Sequence, residues 1–167
     1  RISSLPAADG FSMPAEFAPH DGVLLVWPTR PGSWGIDPSA AQDAFCEIMR
    51  AASRSERVYL LADEAHLDEA AEKAGALASV LAIPSDDAWA RDIGPTFVTD
   101  GARVRGVSWR FNAWGGETDG LYKNWARDDA LAEAFCEAIG ADCCRAEEFV
   151  LEGGSIATDG EGTLLVT

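Results

Sequence analysis

The chain has 167 residues, 47% of them hydrophobic, which suffices for one sizeable core and makes a single domain, residues 1–167, the expectation. Thirteen basic residues against 28 acidic give a net charge of −15, which repels phosphate backbones and anionic lipid, so neither nucleic acid nor a membrane surface is an expected partner. No apolar run reaches the length of about 18 residues that a membrane-spanning helix needs, and the opening residues do not read as a signal peptide.

Val23 to Trp27, bounded by Asp21-Gly22 and Pro28, reads as a short buried strand between turn signals. After a Pro/Gly-rich loop, Ala44, Phe45, Ile48, Met49 and Ala52 recur at three- and four-residue spacing, predicting an amphipathic helix over residues 40–54 capped by Ser39. "RVYLLA" then predicts a strand, "DEAHLDEAAEKAG" a helix closed by Gly75, and "ASVLAIP" another strand. Beyond Pro84, "GPTFVTDGARVRGVSWRFNAW" holds two β-rich runs joined at Asp100-Gly101, a hairpin signal. A helix is predicted from Asn124 to Ile139, stopped by Gly140. "EEFVLEGGSIATDGEGTLLVT" then gives a strand, a Glu-Gly-Gly break and a second hairpin built on Thr158-Asp159-Gly160. The fold class is α/β.

The two hairpins are alike. Thr99-Asp100-Gly101 and Thr158-Asp159-Gly160 lie 59 residues apart, each preceded by glycine or Gly-Pro and by a carboxylate, Asp92 or Glu152. A strand, helix and hairpin repeat near that length suggests a propeller-like array of α/β units whose strand ends point at a common axis, with Asp92 and Glu152 facing one cavity.

Asp92 sits in "WARDIGP", where the plain structural role is a turn carboxylate paired with Arg91. The functional alternative starts from Trp89: an indole and a carboxylate together suit a flat cation, and guanidinium fits best, because a carboxylate accepts two parallel hydrogen bonds from it while a ring stacks on its plane. Glu152 in "LEGGSI" is followed by glycines that permit close backbone approach, or is simply a strand-end acid. Trp114 in "FNAWGG" reads as a pocket aromatic or as core. His20 and His66 read as loop and surface residues. Cys46 and Cys136 read as core, and the four cysteines, with Cys143 and Cys144 adjacent, form neither a C-x-x-C pair nor a disulfide framework, so a reducing, cytoplasmic setting is expected. Metal-ligand spacing and a Gly-rich phosphate loop are absent, and no cofactor is expected.

Five ordered blocks, "MPAEFAPHDGVLLVWP", "RPGSWG", "DDAWARDIGPTFV", "FNAWGG" with "LYKNWARDD", and "EFVLEGGSIATDGEGTLLVT", resemble the N-terminal part of the agmatine deiminase and bacterial-type (Porphyromonas-type) peptidyl-arginine deiminase family, of the guanidine-modifying, or pentein, superfamily. The resemblance implies a five-bladed α/β propeller of ββαβ units, of which this chain would hold roughly two to three blades. It also implies that Asp92 binds the substrate guanidinium, that Glu152 partners a catalytic histidine, and that Trp89 and Trp114 line the pocket. The implied reaction is hydrolysis of agmatine to N-carbamoylputrescine and ammonia without a cofactor, through a covalent adduct on a cysteine, with peptidyl-arginine or free arginine as alternative substrates. The implied partner is a small guanidinium cation, and the full-length protein is expected to be a homo-oligomer.

The family's catalytic histidine and nucleophilic cysteine have no counterpart in this sequence, so the expectation is a fragment that carries part of the site and is inactive alone. Two rival readings stand beside this one. A carbohydrate-active hydrolase would use Asp92 and Glu152 as acid and base, about 5–10 Å apart, and a non-catalytic module would use Trp89 and Asp92 only to hold a cation.

Overall fold

The apolar run that follows Asp21-Gly22 becomes the first strand of a parallel sheet. The computed structural model describes Ile2 and residues 4–167, whose contacts gather into two units: Pro19–Ala90, and Arg91–Thr167 together with the residues up to Ala18.

In the Pro19–Ala90 unit, β1 (Gly22–Val26), α1 (Ser39–Ala52), β2 (Arg57–Ala62), α2 (Leu67–Ala74) and β3 (Ser79–Ala82) alternate, and the strands pair in parallel in the order β1-β2-β3. Val58, Leu60 and Ala62 fall on one face of β2 by the two-residue period of a strand and meet Met49 of α1 and Ala70 and Ala74 of α2 in one core. Side chains such as Met49 and Leu60, fully shielded from water, contribute roughly 1.5–3 kcal/mol each. Phe45 and Ala52 pack against this core as their spacing predicts, with Cys46 beside them, but Ala44 is exposed and Ile48 is 47% exposed, so both belong to the helix's outer face. Ser39 does not cap α1; the helix begins there, and the Asp37 carboxylate accepts the Ser39 N–H at 2.9 Å, which holds its pKa below the usual value. α2 starts later than predicted, because Asp63 accepts the His66 N–H at 3.0 Å and forms a turn before the helix.

After the single helical turn α3 (Ala90–Ile93), β4 (Thr96–Thr99) and β5 (Val104–Arg110) form the predicted antiparallel hairpin, and past a second helical turn, α4 (Gly116–Asp119), and the helix α5 (Ala126–Ala138) the chain returns as β6 (Asp142–Val150), parallel to β5. This is one complete ββαβ unit. A separate hairpin, β7 (Ile156–Thr158) with β8 (Leu164–Val166), follows it. β6 begins earlier than the sequence suggests, since Cys143-Cys144-Arg145 lacks an alternating apolar pattern. Gly106 of β5 lets α5 lie close, because a Cβ there would overlap the Cys136 sulfur. Phe11, Val98, Val107 and Cys144 form the core on the sheet, and the N-terminal segment joins it through mutual Ser12 and Thr99 backbone bonds of 2.9 Å. All four cysteines are free thiols, Cys136 and Cys144 being buried.

The two hairpin turns share one construction. Thr99 and Thr158 each accept the following glycine's N–H through Oγ1 at 3.0 Å; Gly101 and Gly160 take the left-handed φ of 90° and 77° that such turns require. Asp100 accepts the Arg103 and Ala102 N–H groups, with the Arg103 guanidinium adding to them, and its pKa is held at about 2. Asp159 does the same for Glu161 and Thr163.

Candidate functional site

Asp92 does not stand on a strand end but on a single helical turn (Ala90–Ile93, α3), fixed by buried Ile93 and followed by Gly94-Pro95 and β4. Its neighbour Arg91 does not pair with it; that guanidinium forms an ion pair with Glu16. Instead Asp92 Oδ1 accepts the Gly154 N–H at 3.0 Å, and among the described residues Oδ2 accepts no hydrogen bond. Burial pushes the Asp92 pKa up, while the Gly154 N–H and then the Arg91 charge pull it back down. The result is a half-buried carboxylate, held by one oxygen and open at the other.

The partner of that bond comes from the Glu-Gly-Gly break. Glu152 is half-buried and precedes a 3-10 turn, Gly153–Ser155, in which its carbonyl accepts the Ser155 N–H at 3.0 Å and the Ser155 hydroxyl at 2.7 Å. Among the described residues its carboxylate accepts no hydrogen bond. Both glycines are required by close approach: a Cβ on Gly153 would overlap the Arg91 carbonyl oxygen, and one on Gly154 would sit 2.5 Å from Asp92 Oδ1. Each carboxylate thus precedes a hairpin, with a single helical turn at each position, and the second turn is docked on the first.

Trp114 lies on the loop after β5, 37% exposed and edge-on to Phe111 at 5.0 Å and Tyr122 at 6.2 Å between ring centroids. Ala113 and Trp114 both adopt positive φ, 56° and 62°, which for residues with a Cβ costs on the order of 1–3 kcal/mol each. The Leu121 N–H to Ala113 carbonyl bond of 2.9 Å and the Tyr122 hydroxyl, which donates to buried Asp128 at 2.5 Å, hold the loop in this shape. Tyr122→Phe removes that donor from a carboxylate 1% exposed and is expected to cost about 1–3 kcal/mol, with a shift in tryptophan emission. Thermal melts check this, and an unchanged midpoint contradicts it.

Trp89 belongs to the Pro19–Ala90 unit, where it is half-buried with its ring 5.2 Å from that of Trp34, tilted by 33°. The residue behind this contact is Asp87, which the sequence does not single out, because its donors Ser33 and Trp34 lie 54 and 53 positions upstream.

One concavity in the Arg91–Thr167 unit, lined by Arg110, Asp129, Glu133 and Arg145 among others, holds the Arg145 ion pairs with Asp129 and Glu133, and neither Asp92, Glu152 nor Trp114 lines it. Among the described residues, no group of three or more His, Cys, Asp or Glu side chains could hold a metal ion, and no helix is long and apolar enough to cross a membrane.

A family model described as Porphyromonas-type peptidyl-arginine deiminase matches residues 12–167. A relative from Selenomonas ruminantium, provisionally named as an agmatine deiminase, is 55% identical over 169 residues, 98% of this chain and 46% of its own. An agmatine deiminase of Stutzerimonas stutzeri is 48% identical over 168 residues, 99% of this chain and 46% of its own. A solved agmatine deiminase of Enterococcus faecalis superposes with a TM-score of 0.95 at 39% identity, covering 99% of this chain and 46% of that one. The chain therefore spans about half the length of the curated relatives it matches, and its α/β fold is theirs.

Proposed function

Because the chain belongs to the Porphyromonas-type peptidyl-arginine deiminase family, with the α/β fold of the pentein enzymes, we propose that it carries the guanidinium-binding part of a hydrolase that converts agmatine and water to N-carbamoylputrescine and ammonia. The observation that carries the reading is the Asp92–Gly154 contact, which docks the Glu-Gly-Gly turn on a carboxylate with one oxygen open. A guanidinium is a poor electrophile because its charge is delocalised. A carboxylate that grips its N–H groups holds the carbon in line for attack and resists rotation of the plane.

In this reading Asp92 is the clamp, Glu152 orients an acid–base histidine, and Trp89 and Trp114 are pocket walls. The attacking thiolate adds to the guanidinium carbon, ammonia leaves with a proton from the histidine, and water then cleaves the C–S bond to release the ureido product and the thiol. We place the cysteine and histidine in the part of the family's length that this chain does not span, so the 167-residue chain alone is inactive. The ββαβ unit and the hairpin after it support successive blades of a five-bladed propeller. The relatives' names and the net charge of −15 favour the dication agmatine over peptidyl-arginine or free arginine.

Assay of the full-length enzyme with agmatine tests this. One ureido product and one ammonia per agmatine are expected; turnover of peptidyl-arginine alone would move the substrate, and no ureido product from any guanidine would overturn the reading.

A further inference from the structure

We propose that Asp87 is a positioning residue that fixes Trp34 against Trp89, so that the pocket wall is an indole pair and not a single ring; this rests on the reading of Trp89 as a wall. Asp87 is 3% exposed, and a buried carboxylate is costly unless its oxygens are filled. Here they are: Oδ2 accepts the Ser33 hydroxyl at 2.5 Å, and Oδ1 accepts the Trp34 Nε1–H at 2.6 Å and the Ala88 N–H at 2.8 Å.

The segment that carries Ser33 and Trp34 has no regular structure, and Gly32 and Gly35 turn it through φ of 93° and 91°. It is tied down nearby by the Arg30 guanidinium, which donates to the Asp86 carbonyl at 3.1 Å. Asp87 therefore decides where the Trp34 ring lies: 5.2 Å from Trp89, and edge-on to Phe45 at 5.8 Å. Trp34 and Trp89 are both only half-buried, so the anchored pair is not sealed inside a core. A core contact would need no buried carboxylate, whereas a wall that must present a flat face to a cation does need its ring fixed.

The chemistry of the three bonds makes the test specific. In Asp87→Asn, Oδ1 can still accept from Trp34 and Ala88, while the new amide donates to the Ser33 oxygen, so positioning survives without the charge. Asp87→Ala loses all three bonds. In the full-length enzyme, Asp87→Ala is expected to lose the coupled-indole signal in near-ultraviolet circular dichroism and to raise KM for agmatine about tenfold, with kcat changed less than about twofold. Asp87→Asn is expected to stay near wild type in both.

Should Asp87→Ala fail to fold, Trp34→Phe, which deletes the Nε1–H and the indole pair, is expected to raise KM about as much. A wild-type KM in either Asp87→Ala or Trp34→Phe overturns the proposal, as does an Asp87→Asn variant as impaired as the alanine. If the wild-type enzyme forms no ureido product, the deiminase reading fails instead, and the dichroism of the two Asp87 variants alone decides the positioning claim.

Discussion

Asp92→Asn in the full-length enzyme is expected to lower kcat/KM for agmatine by about two orders of magnitude or more without lowering the melting temperature. Asparagine has the shape of aspartate and can still accept the Gly154 N–H, so the Glu-Gly-Gly turn stays docked; the negative charge proposed to grip the guanidinium is lost. The stability half of the expectation follows from burial. Asp92's folded pKa is raised above its ordinary 3.8, so the proton it favours adds stability below the unfolded pKa, and that stability is lost as pH rises through the folded value. At neutral pH the ionised group is a net cost, which the amide removes.

Function runs the other way, since only the carboxylate binds a cation. Agmatine KM should therefore rise on acidification, beginning above the pH at which an ordinary aspartate would protonate. Parallel assays and thermal melts check both halves. Near-normal turnover would remove Asp92 from the site, and a clear fall in melting temperature would recast it as a structural group.

Gly153→Ala and Gly154→Ala are expected to lower kcat/KM by about 10²-fold each, for a different reason. Neither glycine has a positive φ, so the effect is one of space. A methyl on Gly153 meets the Arg91 carbonyl, which is backbone and cannot rotate away, and one on Gly154 meets the carboxylate oxygen that its own N–H holds. Relief requires the turn to lift from Asp92, which displaces Glu152 with it. The same strain should cost about 1–3 kcal/mol of stability, so unlike Asp92→Asn these variants lose activity and melting temperature together. Wild-type activity in either alanine variant would show that the turn's seating on Asp92 is not needed for the reaction.

The parts of the structure that were legible in the sequence are those decided locally. The Thr-Asp-Gly hairpins hold themselves together with side-chain bonds inside four residues, and the Pro19–Ala90 alternation follows from apolar spacing. Long-range pairing decided the rest. Arg91 is adjacent to Asp92, yet pairs with Glu16, 75 positions away, and Asp92 takes its donor from Gly154, 62 positions on. The helical turn of α3 is too short to show a period, and of the neighbouring acids Asp86 and Asp87, only contacts more than 50 residues distant separate the buried anchor from its neighbour. Motif reading and resemblance singled out Asp92, Glu152, Trp89 and Trp114 as candidates; the seating of one turn on the other came from the fold.

The most direct test of Asp92 as the guanidinium clamp is a structure of the full-length enzyme, its nucleophile replaced, with agmatine bound. Two guanidinium nitrogens within about 2.7–3.0 Å of the Asp92 carboxylate, with the Gly154 bond retained, is the predicted result. A guanidinium held by other groups, with Asp92 still bonded only to Gly154, would contradict it.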